Sequence, residues 1–151
     1  MKKIFIASDH AGFELKNALK DFLLGQDNDI EDCGPEVFDQ GDDYPDYIVP
    51  CAQKVAQNKD SFGIVIGLSG QGEAIAANRV LGVRAALYYG GPKEVLTLSR
   101  QHNNTNMLSL GAKFVTAEEA KDAVLLWLST DFLGDERHIR RIGKIDGSVY
   151  N

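Results

Sequence analysis

Short apolar runs alternate along the chain with stretches in which apolar residues recur every three or four positions. Lys2 to Ala7 reads as a buried first strand, ended by the polar Ser8-Asp9-His10. Gly12 then permits a tight turn. Beyond it Phe13, Leu15, Ala18, Leu19, Phe22 and Leu23 keep helical spacing as far as Gly25. Asp29 to Asp32 is a short second strand, closed by Cys33-Gly34-Pro35, and the acidic stretch Glu36 to Asp43 predicts a loop. Pro45 suits the first turn of a helix, where its missing N–H is not needed. That helix turns Tyr47, Ile48, Cys51, Val55 and Ala56 inward, with Pro50 near enough to its start to be tolerated or to kink it. Phe62 to Ile66 is a third strand. It turns through Gly67, Gly70 and Gly72 into a helix of small residues ending near Asn78. Val83 to Tyr88 predicts a fourth strand, and Gly90-Gly91-Pro92 opens a helix through Leu98 and Arg100. Gln101 to Asn104 reads as a connection before the fifth strand, Asn106 to Leu110. Thr116-Ala-Glu-Glu119 has the form of a capping box for a helix carrying Ala120, Val124, Leu125 and Leu128. After Gly134 a basic helical segment runs to Ile145, with Ile139, Ile142 and Ile145 as its apolar stripe.

Strands alternating with helices imply an α/β fold with one parallel sheet covered on both faces. In such a sheet, ligands bind at the C-terminal strand ends, where the strand order reverses. Three polar clusters fall at or near such ends: Asp9-His10, the loop from Ser69 to Glu73, and Tyr44 after the second strand.

Composition narrows this further. The 151 residues suffice for one domain, taken as 1–151, with its own core. A formal charge of −6 argues against nucleic acid or an anionic membrane as partner, since both need a basic surface. It leaves room for a small anionic ligand held by a local positive cluster. No apolar run approaches the roughly 20 residues of a membrane span. The opening Met1-Lys2-Lys3 run is cut off too early by Ser8-Asp9-His10 for a signal peptide, so a cytoplasmic location is expected. Cys33 and Cys51 lack metal-ligand spacing and read as free core thiols, and the three histidines give no metal signature.

Each chemical candidate carries two readings. The glycine turn is neither a Walker loop, nor a dinucleotide fingerprint, nor a nucleophile elbow. Its N–H groups and the following helix start could cradle an anion, or the turn could be a tight connection only. Glu73 at the helix start suits the helix dipole, and it could equally be a base beside an anion hole formed by Ser69, Gly70 and neighbouring N–H groups. Asp9-His10 is either a turn that caps the next helix or an acid–imidazole pair for a hydroxyl and an anion. His102 is a solvated loop residue or an acid–base group. Arg137 and Arg141 share a helix face and suit a phosphate, or they form a solvated basic face beside Asp135 and Glu136.

Taken together, five segments resemble the type B ribose-5-phosphate isomerase family, which includes allose-6-phosphate isomerases and galactose-6-phosphate isomerase subunits. They are Ser8 to Gly12, Asp43 to Pro45, Gly67 to Asn78, Ser99 to Asn104 and Arg137 to Arg141. The resemblance covers nearly the whole chain. It implies a three-layer α/β/α Rossmann-like domain with a five-stranded parallel sheet. It also implies a homodimer with shared active sites, often paired into tetramers, and metal-free aldose–ketose isomerisation of a sugar phosphate without a cofactor. Carried over by position, His102 assists ring opening, Asp9 holds substrate hydroxyls, and Ser69 to Gly72, with Gln71 among them, line an anion hole for the enediolate. Tyr44 and Asn103 join the substrate contacts. His10, Arg137 and Arg141 bind phosphate, some from the partner chain. One branch of the family has a cysteine base at the position of Gly67; the other has a glutamate at the position of Glu73, as here. Lys113 stands where an arginine usually meets phosphate, keeping the charge but losing the paired hydrogen bonds. Ribose 5-phosphate, converted to ribulose 5-phosphate with Glu73 as base, is the expected substrate; a six-carbon sugar phosphate such as allose or galactose 6-phosphate, and a non-catalytic sugar-phosphate-binding protein, stay open as alternatives.

Overall fold

The computed structural model describes residues 1–147; the last four residues of the expected 1–151 domain lie outside them. In chain order the elements are β1 (Lys3–Ser8), a 3-10 turn (His10–Gly12), α1 (Phe13–Leu24), β2 (Asp29–Asp32), α2 (Pro45–Gln57) and β3 (Phe62–Gly67). They continue with α3 (Gln71–Asn78), β4 (Ala85–Tyr88), α4 (Glu94–Asn103), β5 (Met107–Gly111), α5 (Ala117–Ser129) and α6 (Glu136–Asp146). The strands form one five-stranded sheet in the order β2-β1-β3-β5-β4, and every pair is parallel.

Alternation along the strands divides the core into two layers. Ile4, Ile6, Ile64, Ile66, Leu108 and Leu110 face α1, α4 and α5, where they meet Leu19, Leu23, Leu96, Val124 and Trp127. Phe5, Ala7, Val65 and Met107 face α2 and α3, against Ile48, Cys51, Val55 and Ala77. Each large side chain so buried stabilises the fold by about 1.5–3 kcal/mol. The result is a three-layer α/β/α domain of Rossmann-like type. The chain leaves β1 toward β2 on one side and returns to β3 on the other, so the strand order reverses between β1 and β3. Among the described residues, no helix is long and apolar enough to cross a membrane.

The first, third and fifth strands keep their expected places to within one residue at either end, and two boundaries differ by more. The fourth strand begins at Ala85, not Val83. Asn78 at the end of α3 explains the start: its side-chain amide donates to the Ala85 carbonyl at 3.0 Å and accepts from the Ala85 N–H at 2.8 Å, mimicking a strand partner. The stretch Gln101 to Asn103 is not a connection but the last turn of α4. Buried Leu96, Ser99 and Arg100 extend the helical face, and Asn104 closes the helix in the left-handed region at φ 43°. The capping box at Thr116 and Glu119 is present as expected.

Candidate active site

The C-terminal ends of β1 and β3 border the point of reversal, and the polar groups gather there. Asp9 ends β1 and caps the 3-10 turn, its Oδ1 accepting from the Gly12 N–H at 3.1 Å. A side chain on Gly12 would strike the Ile66 carbonyl at 2.5 Å, so only glycine lets this turn lie against β3. His10 follows on the rim. Its Nδ1 lies 2.6 Å from Asp42 Oδ1, and its N–H donates to the same oxygen at 3.2 Å.

Past β3, the turn at Gly67 to Gly70 is fixed from the neighbouring strand. Ala112 N–H donates to the Gly67 carbonyl at 2.8 Å, Lys113 N–H to the Leu68 carbonyl at 3.0 Å, and Ser109 Oγ to the Gly70 carbonyl at 2.6 Å. Lys113 therefore stands beside the turn, with its side chain exposed. Gly70 sits at φ 76°, and a side chain there would run into the Leu110 carbonyl. From it α3 begins, so Gly72 and Glu73 open a helix with N–H groups that have no partner four residues back. Ser69 Oγ accepts from Gln71 N–H at 3.3 Å. Tyr44, at the start of α2, lays its hydroxyl end over Gly72.

Glu73, the third residue of α3, is 4% exposed. Its carboxylate curls back onto Gly67 so closely that a side chain at Gly67 would overlap it. Burial raises its carboxyl above the ordinary value; a hydrogen bond from its own main chain opposes this, and the Asp9 charge adds to it. A buried carboxylate beside free N–H donors can take a proton from carbon while the donors hold the oxyanion that forms.

The remaining candidates are elsewhere. A helix after a parallel strand runs back, so the end of α4 lies at the N-terminal edge of the sheet. Arg84, just ahead of β4, marks that edge: its Nε donates to the Asn103 carbonyl at 3.0 Å and to that of Asn104 at 3.2 Å. His102 sits there, stacked on His138 of α6 with ring centroids 4.4 Å apart. Arg84 and Asp146 pair at 2.7 Å and fix the far end of α6. Arg137 and Arg141 are exposed on α6, and Asn103 is exposed at the end of α4. A cavity of about 550 Å³ adjoins, lined among others by Phe62, Arg84, Arg100 and Asn104. The five residues of β5 separate this edge from the glycine turn, a span of roughly 16 Å. One chain thus brings together Asp9, His10, Tyr44, Ser69, Gly70, Gln71, Gly72, Glu73 and Lys113. It does not bring them to His102, Asn103, Arg137 or Arg141.

Two residues at these sites carried no role in the sequence reading. Asp42 was one acid among several in a loop, and nothing in its neighbours marked it as the one that turns inward. His138 lay within the Arg137 to Arg141 segment, but the isoleucine stripe hid it. In the fold His138 is the buried residue, whereas Ile139 and Ile145 are 55% and 60% exposed. Asp9, His10 and Asp42 are the described residues whose ligand atoms come within 4.8 Å of one another. Asp9 Oδ1, Asp42 Oδ1 and His10 Nδ1 are already engaged in hydrogen bonds, so the group presents an acid–imidazole pair more readily than an open metal site.

The description "Ribose/Galactose Isomerase" belongs to the family model that matches residues 4–145. A probable ribose-5-phosphate isomerase B of Mycoplasma genitalium is 44% identical over 143 residues, which cover 94% of this chain and 92% of that protein. Ribose-5-phosphate isomerase B of Mycolicibacterium paratuberculosis is 39% identical, over 93% of this chain and 87% of that one. Among solved structures, the Mycoplasma genitalium ribose-5-phosphate isomerase B with bound ribulose 5-phosphate superposes with a TM-score of 0.91 at 42% identity, over 96% of this chain and 94% of that chain. A Thermotoga maritima ribose 5-phosphate isomerase superposes with a TM-score of 0.89 at 45% identity, over 97% and 98% of the two chains.

Proposed function

Since the chain belongs to the ribose/galactose isomerase family, we propose that it interconverts ribose 5-phosphate and ribulose 5-phosphate, with Glu73 as base and each active site shared between two copies. The observation that carries the chemistry is the Glu73 carboxylate, buried and laid against Gly67 beside a turn of N–H donors. His102 moves the proton of the anomeric O1 hydroxyl to the ring oxygen, the bond between C1 and the ring oxygen breaks, and the open-chain aldehyde forms. Glu73 then takes the proton from C2, and the electron pair moves to the carbonyl oxygen at C1. The N–H groups of Gly70 to Gly72 and the Ser69 hydroxyl hold the enediolate. Asp9 and Tyr44 hold substrate hydroxyls. With a proton shifted from O2 to O1, Glu73 returns its proton to C1 and the ketose is complete.

Sharing follows from the distance between the two groups. His102, Asn103, Arg137 and Arg141 lie a sheet's length from Glu73 in the same chain, so a second copy must bring them. The surface suits such a homodimer. Leu68, Ile75, Tyr89 and Phe114 are 55%, 61%, 48% and 54% exposed around the glycine turn, and the exposed isoleucine stripe of α6 accompanies the arginines. His10 and Lys113 then meet the phosphate from one chain, and Arg137 and Arg141 from the other. Pairing of such dimers into tetramers, a single domain over 1–151, a cytoplasmic location and independence from any metal or cofactor belong to the same reading.

The test is conversion by the purified chain alone. Ribose 5-phosphate should be turned over at least about tenfold more efficiently than allose 6-phosphate or galactose 6-phosphate, a discrimination of the size one sugar carbon allows. The reverse order would move the substrate to six carbons, and binding without turnover would make the chain a sugar-phosphate-binding protein. A second prediction concerns space. Gly67→Ala should displace the Glu73 carboxylate by more than about an ångström and lower kcat/KM about a hundredfold, at a stability cost of about 1–3 kcal/mol. Steady-state kinetics and chemical denaturation read the two effects separately.

A further inference from the structure

The acidic strap between β2 and α2 passes over the His10 ring, and Asp42 is where it touches. The Asp42 side chain is 3% exposed, whereas that of His10 is 35% exposed. One oxygen, Oδ1, holds both the His10 N–H and its Nδ1. The other, Oδ2, is buried without a partner among the described residues. Phe38 of the same strap sets its ring edge-on to His10 at 6.4 Å and to Phe13 of α1 at 5.9 Å. The strap is anchored from below, where the buried Lys16 donates to the Pro35 carbonyl at 2.7 Å and pairs with Asp32.

Burying a carboxylate is costly unless a cation or strong donors repay it. Here the group that can do so is the imidazole. With Nδ1–H committed to Asp42, the ring has one free edge, Nε2, and it is the exposed one. We infer that Asp42 is a positioning residue for substrate binding: it clamps His10 by its main chain and by Nδ1, so that Nε2–H is presented to the phosphoryl group of the substrate. This rests on the isomerase reading, in which His10 meets that group. The same clamp favours the imidazolium. The Asp42 hydrogen bond raises His10 above its ordinary value; partial desolvation opposes it, and the charges of Asp9, Asp42 and Asp39 reinforce it. These three carboxylates face the ring from the end of β1 and from the strap.

Asp42→Asn tests the role, because the amide keeps an acceptor oxygen for the strap but removes the charge. In the full-length protein, KM for ribose 5-phosphate should rise about tenfold, the worth of one charge-assisted hydrogen bond, with kcat within about twofold of wild type. The alkaline fall of kcat/KM should move to lower pH. The His10 imidazole, followed by NMR in the substrate-free protein, should titrate at lower pH in step with it. His10→Asn should raise KM by as much, and the double variant should be no worse than His10→Asn alone, since the two act as one unit. Should Asp42→Asn lose structure, Asp42→Ser gives the same readouts with a smaller uncharged side chain. A strap pin without a binding role would leave KM, the alkaline limb and the His10 titration where they are in wild type, and that result overturns the inference. If His10→Asn leaves KM unchanged, the phosphate reading of His10 fails first. If it raises KM while Asp42→Asn does not, only the role given to Asp42 falls.

Discussion

With Glu73 as the proposed base, Glu73→Gln should lower kcat roughly 10²- to 10⁴-fold, the worth of a positioned general base, while substrate binding and the fold persist. The amide fills the volume of the carboxylate and keeps its place over Gly67, so a loss of turnover reports the missing base and not a collapsed turn. Retention of near-wild-type kcat would remove Glu73 from the mechanism. The same variant should melt at a higher temperature than wild type at pH 7. Desolvation raises the Glu73 carboxyl in the folded protein, whereas in the unfolded chain it ionises at its ordinary value. Between those two values the folded state keeps a proton that the unfolded state has lost, so stability falls as pH rises through that window and stays lower above it. Glutamine has no charge to bury. The difference in melting temperature should close at a pH low enough to protonate Glu73 in both states. Thermal unfolding at pH 7 and at pH 3 measures it.

Mixing two dead variants should restore activity. On the proposed mechanism Glu73→Gln and His102→Ala each remove one essential group, and in the proposed shared site those groups come from different chains. A heterodimer of the two variants then holds one site with both lesions and one with neither. Random exchange of equal amounts makes half the dimers mixed, so activity should recover to about a quarter of wild type. Each variant alone should stay at its low level. A site built within one chain predicts no recovery, whatever the mixing ratio. Unfolding and refolding the variants together, followed by a conversion assay, gives the answer.

The layers of the fold were legible because hydrophobic period is a local property. The β-branched run of Ile64 to Ile66 and the capping box at Thr116 each specify their element without help from afar. His102 shows the limit. Its segment, Gln101 to Asn104, is polar and lacks an apolar period, so it read as a connection. Arg84, sixteen and more residues earlier in the chain, supplies the side chain that bonds the carbonyls at its end. Asp42 is a similar case. Nothing in Gly41-Asp42-Asp43 distinguishes the acid that turns inward from its neighbour, because the choice is made by His10, far away in sequence. The candidate residues, Lys113 and Asp42 apart, lay within the five segments. Their division between opposite edges of the sheet was not, since motif order along a chain carries no direction until the strands are known to be parallel and each helix to run back.

The contact between Gly67 and Glu73 also has an evolutionary side. A side chain at position 67 and the Glu73 carboxylate claim the same volume, and the resemblance implies that the two branches of the family would place their bases at these two positions. A lineage that first acquired cysteine at 67 would crowd the glutamate it still relied on. One that first gave up the glutamate would have no base at all. On the proposed mechanism each single change disturbs the base in use, so a switch between the branches goes most readily by changing both positions together.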